Sequence, residues 1–573
     1  MTRTVADLLA ETLAKAGVER IYGVVGDSLN GFIDSLRRLD SIDWVHMRHE
    51  EGAAFAAGAE AQVTGRLAVC AGSCGPGNLH LINGLFDCQR SRTPVLAIAA
   101  HIPSSEIGID YFQATHPEHL FKECSHYVEL VSNAEQLPQI LARAMRVAVA
   151  RSGVAVVVIP GDVALQPTRH VAPDWFYPTP STLMPGPEDV DALAALLDAG
   201  TRITLLCGAG CAGARHEVLE VARLLKAPIV HALRGKEHIE HDNPYDVGMT
   251  GFIGFSSGYL AMKDCDTLLM LGSDFPYRPF FPEHAKVAQI DVRPEALGNR
   301  HPIQLGILGD VKATLAQVLK KLTAKTDTHH LDSAVAHYRK ARADLDALAE
   351  NGPHSDTIHP QYVSRLVSEL AADDAIFTCD VGTPVVWAAR YFKLNGKRRL
   401  LGSFVHGSMA NAMLQAIGAQ ACQPGRQVVS MSGDGGFTMM MGDFISLKQL
   451  GLPVKVVVLN NGTLGFVEIE MKASGFLDTG CELDNPDFAA MATAMGIKSF
   501  RVTRPQDLKA ALEAAFAHDG PALVDVVTAR QELVMPPKVT AGEVVHFGVF
   551  TLKAILDGRA RELVDLAKQN LVR

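Results

Sequence analysis

Val428-Val429-Ser430-Met431-Ser432-Gly433-Asp434-Gly435 and Val454-Lys455-Val456-Val457-Val458-Leu459-Asn460-Asn461 decide the fold of this chain. Each is an apolar run of strand length that ends in polar residues. The triplet Gly433–Gly435 and the pair Asn460–Asn461 are separated by 24 residues, and the segment Phe437 to Leu450 between them has helical spacing. A strand, a helix and a second strand of these lengths form a parallel unit, so Asp434 and Asn461 should emerge side by side at the carboxyl edge of one sheet. One carboxylate and one amide oxygen, completed by waters and phosphate oxygens, suit Mg²⁺. Glycines around Asp434 let a diphosphate approach the backbone closely.

The same alternation extends outward. Residues 1–180 alternate apolar runs (Ile21–Val25, Leu67–Cys70, Val95–Ala100, Val154–Ile159) with helical segments, as a parallel sheet demands. A turn-rich linker from Pro173 to Pro187 leads to a second block, 183–335, and a charged helical stretch, His337 to Glu350, leads into a third, 336–530. The expected fold class is α/β, with three doubly wound parallel-sheet domains and a tail, 531–573, in which the alternation ends. A length of 573 residues is too great for a single core.

Composition is that of a globular enzyme, 48% apolar and 20% charged. A net charge of −10 without a basic stripe argues against nucleic acid as a partner. Ten scattered cysteines, none as CxxC, read as buried thiols of a reducing cytosol. No signal peptide is legible at the N-terminus, where Val5, Leu8, Leu9, Thr12, Leu13 and Ala16 share one face of a surface helix. No apolar run approaches the ~18 residues of a membrane span.

Several further motifs carry chemistry. Glu50 follows the strand Trp44–Met47 and opens an Ala-rich helix. A partly desolvated carboxyl there suits a proton donor, and a helix-capping acid held by the dipole would use the same position. Gly72-Ser73-Cys74-Gly75-Pro76-Gly77-Asn78 is a loop whose following helix could face a ligand or simply cap a turn. Gly208-Ala209-Gly210-Cys211-Ala212-Gly213 follows the strand Ile203–Cys207, the context of a dinucleotide loop. The next strand, Pro228–Leu233, ends in Arg234-Gly235-Lys236, with no acid for an NAD ribose. His116 and His119 lack a third metal ligand in sequence and have Pro117 between them.

With Arg48–Gln62 (RHEEGAAFAAGAEAQ) and Ser73–Cys88 (SCGPGNLHLINGLFDC), the Asp434 and Asn461 motifs resemble the thiamine-diphosphate-dependent enzymes. Over residues 1 to 573 the chain looks most like the bacterial respiratory pyruvate oxidases that reduce quinone. The resemblance implies a pyrimidine-binding, an FAD-binding and a diphosphate-binding domain in that order. It implies that Asp434, Asn461 and the main-chain oxygen of Thr463 hold Mg²⁺, with Gly435, Gly436, Gly462, Leu464 and Gly465 along the diphosphate. Glu50 would give a proton to the cofactor's pyrimidine ring near Gly75, and His406, Gly407, Ser408 and the apolar Met409 would support the cofactor from the other side. Phe112 would lie between two cofactors, Gln113 near substrate, and Phe466 would enter the site during turnover. FAD would contact Gly208, Gly210, Gly251-Phe252-Ile253-Gly254, Asp274-Phe275-Pro276-Tyr277-Arg278, Asp291 and Val292.

The implied reaction is oxidative decarboxylation of pyruvate to acetate and CO₂, with electrons passing through FAD to ubiquinone. The implied setting is a homotetramer, cytoplasmic and peripheral on the inner membrane, attached through lipid contacts of the C-terminal helix Arg559–Arg573. A helix docked on the protein would explain the same tail. Alternatives within the fold are a phosphate-dependent, oxygen-reducing pyruvate oxidase and an acetolactate-synthase-like carboligase. A catalytically silent membrane-bound regulator should have lost Glu50, Asp434 or Asn461, and all three are present.

Overall fold

The computed structural model describes residues 3–179, 181–350, 356–530, 532 and 549–554. Its strands form three six-stranded sheets. The first contains β1 (Arg20–Gly23), β2 (Asp43–His46), β3 (Ala68–Gly72), β4 (Val95–His101), β5 (Tyr127–Leu130) and β6 (Val154–Pro160), in the order β2-β1-β3-β4-β6-β5. The second contains β7 (Ile203–Cys207), β8 (Ile229–His231), β9 (Asp246–Met249), β10 (Thr267–Leu271), β11 (Lys286–Asp291) and β12 (Leu305–Leu308), ordered β12-β11-β10-β7-β8-β9. The third contains β13 (Ile376–Cys379), β14 (Arg399–Leu401), β15 (Val428–Gly433), β16 (Lys455–Asn460), β17 (Lys498–Val502) and β18 (Ala522–Val527), ordered β14-β13-β15-β16-β18-β17.

Neighbouring strands in each sheet run parallel. Helices cover both faces, so central strands such as β6 and β16 are buried along their whole length. Counted from their own first strands, the first and third sheets share one order although their sequences show no repeat. Both reverse direction between their first and third strands, the place where open α/β sheets take ligands. The middle sheet reverses between β7 and β10 and has the strand order of the dinucleotide-binding fold. One apolar cluster joins the first and third sheets through helices Glu50–Thr64 and Asn411–Cys422, whose small residues Ala53, Ala56, Ala57, Ala416 and Ala419 let the two pack closely.

Three expectations change. The helix expected from Phe437 to Leu450 is broken into Asp434–Met439, a tight turn Met441–Asp443, and Phe444–Gln449. The break turns buried Asp443 toward the first domain, where its Oδ1 accepts the Arg48 N–H at 2.7 Å. The N-terminal helix, Val5–Lys15, is buried on most sides, Asp7 included. Asp7 is satisfied there by Ser35 at 2.7 Å, by the Thr4 cap and by an ion pair with Arg38. The charged helix begins at His329 rather than His337 and runs to Leu348, through the 335/336 division.

Of the tail, Arg559–Arg573 and the apolar positions Val544, Val545 and Phe547 lie outside the described residues. Phe550 is fully buried, and Lys553 donates to the Gly475 carbonyl at 2.7 Å. Among the described residues no helix is long and apolar enough to cross a membrane. All ten cysteines are free, and all but Cys422 are buried.

Candidate active site

The third sheet brings the two opening motifs together. β15 and β16 pair with Gly433 opposite Leu459, so Asp434 and Asn460 leave the sheet side by side. Asp434 is 2% exposed at the first turn of a helix. Its Oδ1 accepts the Gly435 N–H at 2.8 Å, and its Oδ2 accepts the Gly462 N–H at 2.7 Å and the Asn485 amide at 2.8 Å. Burial pushes its carboxyl above the usual range while these donors pull it back. Asn461 Oδ1 sits 3.3 Å from the Thr463 N–H, and the Thr463 hydroxyl donates to buried Glu468 at 2.6 Å. Met409 and Leu464 both close over Gly435, at 3.3 and 2.7 Å from where a Cβ would stand. A carboxylate already fixed by three donors, beside an amide oxygen and the Thr463 turn, fits a hard divalent cation. Phe466 is half-buried against the outer core of this domain.

Two residues of this edge escaped the sequence reading. Asn485 donates to Asp434 at 2.8 Å and to Asn460 Oδ1 at 3.1 Å, tying the ends of β15 and β16 together. Outer-shell partners of this kind are typically worth 10- to 100-fold in metal affinity. Asn485→Leu should therefore weaken Mg²⁺ binding by about 10-fold or more, read by titration of the metal into the protein. Unchanged affinity would show that the bridge is dispensable. The second is Asp380, which follows β13 at the point where the sheet reverses. Its Oδ1 accepts the Ala412 N–H at 2.9 Å, and its Oδ2 has no hydrogen-bond partner among the described residues. Burial raises its carboxyl from 3.8 to about 7. The fold therefore favours the protonated form, a contribution present below pH 3.8 and lost as pH rises toward 7. In cofactor-free protein, Asp380→Asn should flatten that part of the melting temperature against pH. An unaltered slope would assign the dependence to other groups.

Glu50 forms a second cluster. It opens the helix Glu50–Thr64, is 8% exposed, and its Oε2 lies 2.9 Å from Nδ1 of His80. Glu51 beside it accepts from the Asn83 amide at 2.8 Å. Asn83 reaches across to the third domain, donating to the Ser408 hydroxyl at 3.0 Å and meeting His406 Nε2 at 2.9 Å. Gly75 and Gln113 come together, since a Cβ on Gly75 would stand 2.9 Å from that of Gln113, and the Cys74 thiol donates to Gln113 Oε1 at 3.3 Å. Phe112 is 77% exposed, and Gly407 is likewise on the surface of the chain. Among the described residues, no hydrogen bond links the Glu50 carboxyl to the Asp434 cluster.

A third cluster lies at the reversal point of the middle sheet. A Cβ on Gly208 would stand 2.4 Å from the Gly272 carbonyl oxygen, and one on Gly210 would stand 2.7 Å from the Gly272 Cα, so only glycines allow β7 and β10 to end this close together. Asp274 pairs with Arg300 at 2.8 Å and lies 3.7 and 3.8 Å from Arg92 and Arg293. Burial raises the carboxyl of Asp291, which ends β11. Arg293 stands 3.5 Å from Asp291, yet its buried Nε and Nη2 make no hydrogen bond among the described residues. Phe252 packs edge-on to Tyr277 with centroids 4.7 Å apart, and Tyr277 likewise to Phe275. The carbonyls of Ile253 and Gly254 accept from Arg390 of the third domain. Pro276, Arg278 and Val292 are exposed beside this cluster, and Gly251 is buried.

Comparison with known proteins identifies these three units. Residues 3–123 match the N-terminal TPP-binding domain of thiamine pyrophosphate enzymes, 190–318 the central domain and 380–526 the C-terminal TPP-binding domain. The chain is 35% identical over 571 residues to the putative thiamine pyrophosphate-containing protein YdaP of Bacillus subtilis, covering 99% of this chain and 98% of that one. It is 32% identical over 525 residues to the pyruvate oxidase of Lactiplantibacillus plantarum, covering 89% of this chain and 86% of the other. It is also 30% identical over 558 residues to the chloroplastic acetolactate synthase of Arabidopsis thaliana, covering 93% and 82%. With its three domains in order and a relative covered almost end to end, the chain belongs to the thiamine pyrophosphate enzyme family.

Proposed function

We propose that the protein oxidatively decarboxylates pyruvate to acetate and CO₂ and passes the two electrons through FAD to ubiquinone. Pyruvate and water yield acetate, CO₂, two protons and two electrons. The observation that carries the reading is the second cradle: Gly208 and Gly210 pressed on Gly272 under a dinucleotide-type strand order, with two buried guanidinium nitrogens of half-buried Arg293 that make no hydrogen bond among the described residues. Unsatisfied buried donors favour an anionic group, and the diphosphate of FAD supplies one. Arg234, half-buried after β8 where an NAD-binding chain would carry an acid, agrees with FAD over NAD.

When bound, thiamine diphosphate supplies the nucleophilic carbon and electron sink for decarboxylation, and FAD the two-electron acceptor. The chain's own residues orient and protonate. Asp434, Asn461 and the Thr463 carbonyl hold Mg²⁺, Met409 and Leu464 shape the floor over Gly435, and Glu50 holds the proton that the pyrimidine end requires. In this reading Gln113 lies near substrate, Phe112 between the two cofactors, and Phe466 enters the site during turnover. The working form is a homotetramer in which the Glu50 cluster of one protomer meets the Asp434 cluster of its partner.

An assay with pyruvate and quinone, oxygen or no acceptor, each with and without phosphate, tests the reaction. Acetate formation that requires quinone is expected. Acetyl phosphate with oxygen would identify a phosphate-dependent oxidase, acetolactate without any acceptor a carboligase, and no turnover a silent regulator.

The reading extends to localisation: cytoplasmic, and peripheral on the inner membrane through the tail. Residues 559–573 carry four basic and two acidic side chains, so attachment through them would rest on their apolar side chains and be weak and reversible. If pyruvate and lipid favour one conformation, each tightens the other's binding. Liposome co-sedimentation should rise with pyruvate and thiamine diphosphate for the full chain and not for one truncated before Gly558. Equal sedimentation in all four conditions would leave the tail as a docking helix.

A further inference from the structure

His49, Glu50 and His80 place one ligand atom each within 4.8 Å of the others, a spacing that a metal ion could use. The rings speak against it. His49 and His80 stack with centroids 4.3 Å apart and planes inclined by 25°. Their lone pairs therefore lie in nearly parallel planes and do not converge on one ion ~2.0–2.1 Å from a nitrogen of each. His49 is in any case engaged as the helix cap, its Nδ1 accepting the Glu51 N–H at 3.1 Å. What the arrangement builds is a hydrogen bond with two distinct ends.

The two oxygens of Glu50 are assigned separately. Oε2 meets His80 Nδ1 at 2.9 Å, and Oε1 lies 3.0 Å from where a Cβ on Gly77 would stand. Glycine at 77 thus leaves the Oε1 face open. The Glu50 side chain is 10% exposed and that of His80 is 44% exposed, so the pair runs from the interior to water. Of the other charged groups nearby, Glu51 is held by Asn83, and Asp443 of the third domain accepts the Arg48 N–H and the Ser446 hydroxyl through Oδ1, its Oδ2 making no hydrogen bond among the described residues.

Resting on the reading of Glu50 as the proton-holding residue, we propose that His80 is a positioning residue that fixes the Glu50 carboxyl and connects it to solvent protons. When Oε1 gives up its proton, the Nδ1–H proton of His80 passes to Oε2 while Nε2 takes one from a solvent acid, hydronium or buffer, which is left as its conjugate base. The second oxygen of Glu50 is thereby its return path.

Two measurements test this. In holoenzyme, exchange of the cofactor's thiazolium C2 proton, followed by NMR, should slow by about 10²-fold in His80→Ala at unchanged cofactor affinity, and added imidazole should restore part of it. His80→Asn keeps an amide where Nδ1 stood, so it should bind cofactor normally and still exchange slowly. In cofactor-free protein, the Nδ1 resonance of His80, assigned by its loss in His80→Asn, should move in Glu50→Gln, where its 2.9 Å partner becomes an amide. Wild-type exchange in both His80 variants, or a His80 Nδ1 resonance indifferent to Glu50, would overturn the relay. Wild-type exchange in Glu50→Gln would instead overturn the reading of Glu50 itself.

Discussion

Glu50→Gln is expected to leave the fold and the cofactor-binding elements intact while lowering turnover by about 10²-fold or more, the usual scale of a lost acid–base group. The substitution preserves volume, and the residue's helix stays packed between the first and third sheets through Ala53, Ala56 and Ala57, which do not involve the carboxyl. The amide can still meet His80, so the change is confined to what the oxygen can donate. Steady-state turnover with saturating cofactor is the readout, with thermal melting as the control for folding. Activity within a few-fold of wild type, a small fraction of what acid–base catalysis supplies, would reduce Glu50 to a helix-capping acid.

Asp434→Ala is expected to abolish Mg²⁺-dependent thiamine diphosphate binding and leave flavin binding untouched. The carboxylate collects three hydrogen bonds, from Gly435, Gly462 and Asn485, and aligns the ends of β15 and β16. Alanine removes the hard anionic ligand and leaves those donors unsatisfied, which adds a stability cost of about 1–3 kcal/mol. The Gly208–Gly272 cradle belongs to a different sheet and should keep its affinity. Fluorescence titration with each cofactor separates the two sites. Unchanged thiamine diphosphate affinity would mean that the Gly433–Gly435 triplet is only a turn.

The parallel sheets and the approach of Asp434 to the turn after Asn460 were legible because they depend on local patterns: apolar runs, the residues that end them, and helical spacing between them. Long-range partners were not. Asn485 lies 51 residues from Asp434, and nothing in the run Asp484-Asn485-Pro486 marks it as the bridge to Asn460. His80 lies 30 residues from Glu50, on the far side of a helix, a strand and a loop. Asp380 had a usable signal, an acid directly after the apolar run Ile376–Cys379, the same signal that marked Asp434. The broken helix after Asp434 shows tertiary structure overriding periodicity, because Asp443 is drawn to a backbone N–H 395 residues away in sequence. Burial of the N-terminal helix was hidden for a similar reason. Asp7 reads as polar surface until Ser35 and Arg38 are placed beside it.

The most direct measurement is anaerobic mixing of pyruvate with the purified protein loaded with FAD, while the absorbance of oxidised flavin is followed. Bleaching that requires both Mg²⁺ and thiamine diphosphate, and that added ubiquinone reverses, is the expected result. A flavin that stays oxidised while pyruvate is consumed would contradict an oxidase and leave FAD a structural role in a carboligase.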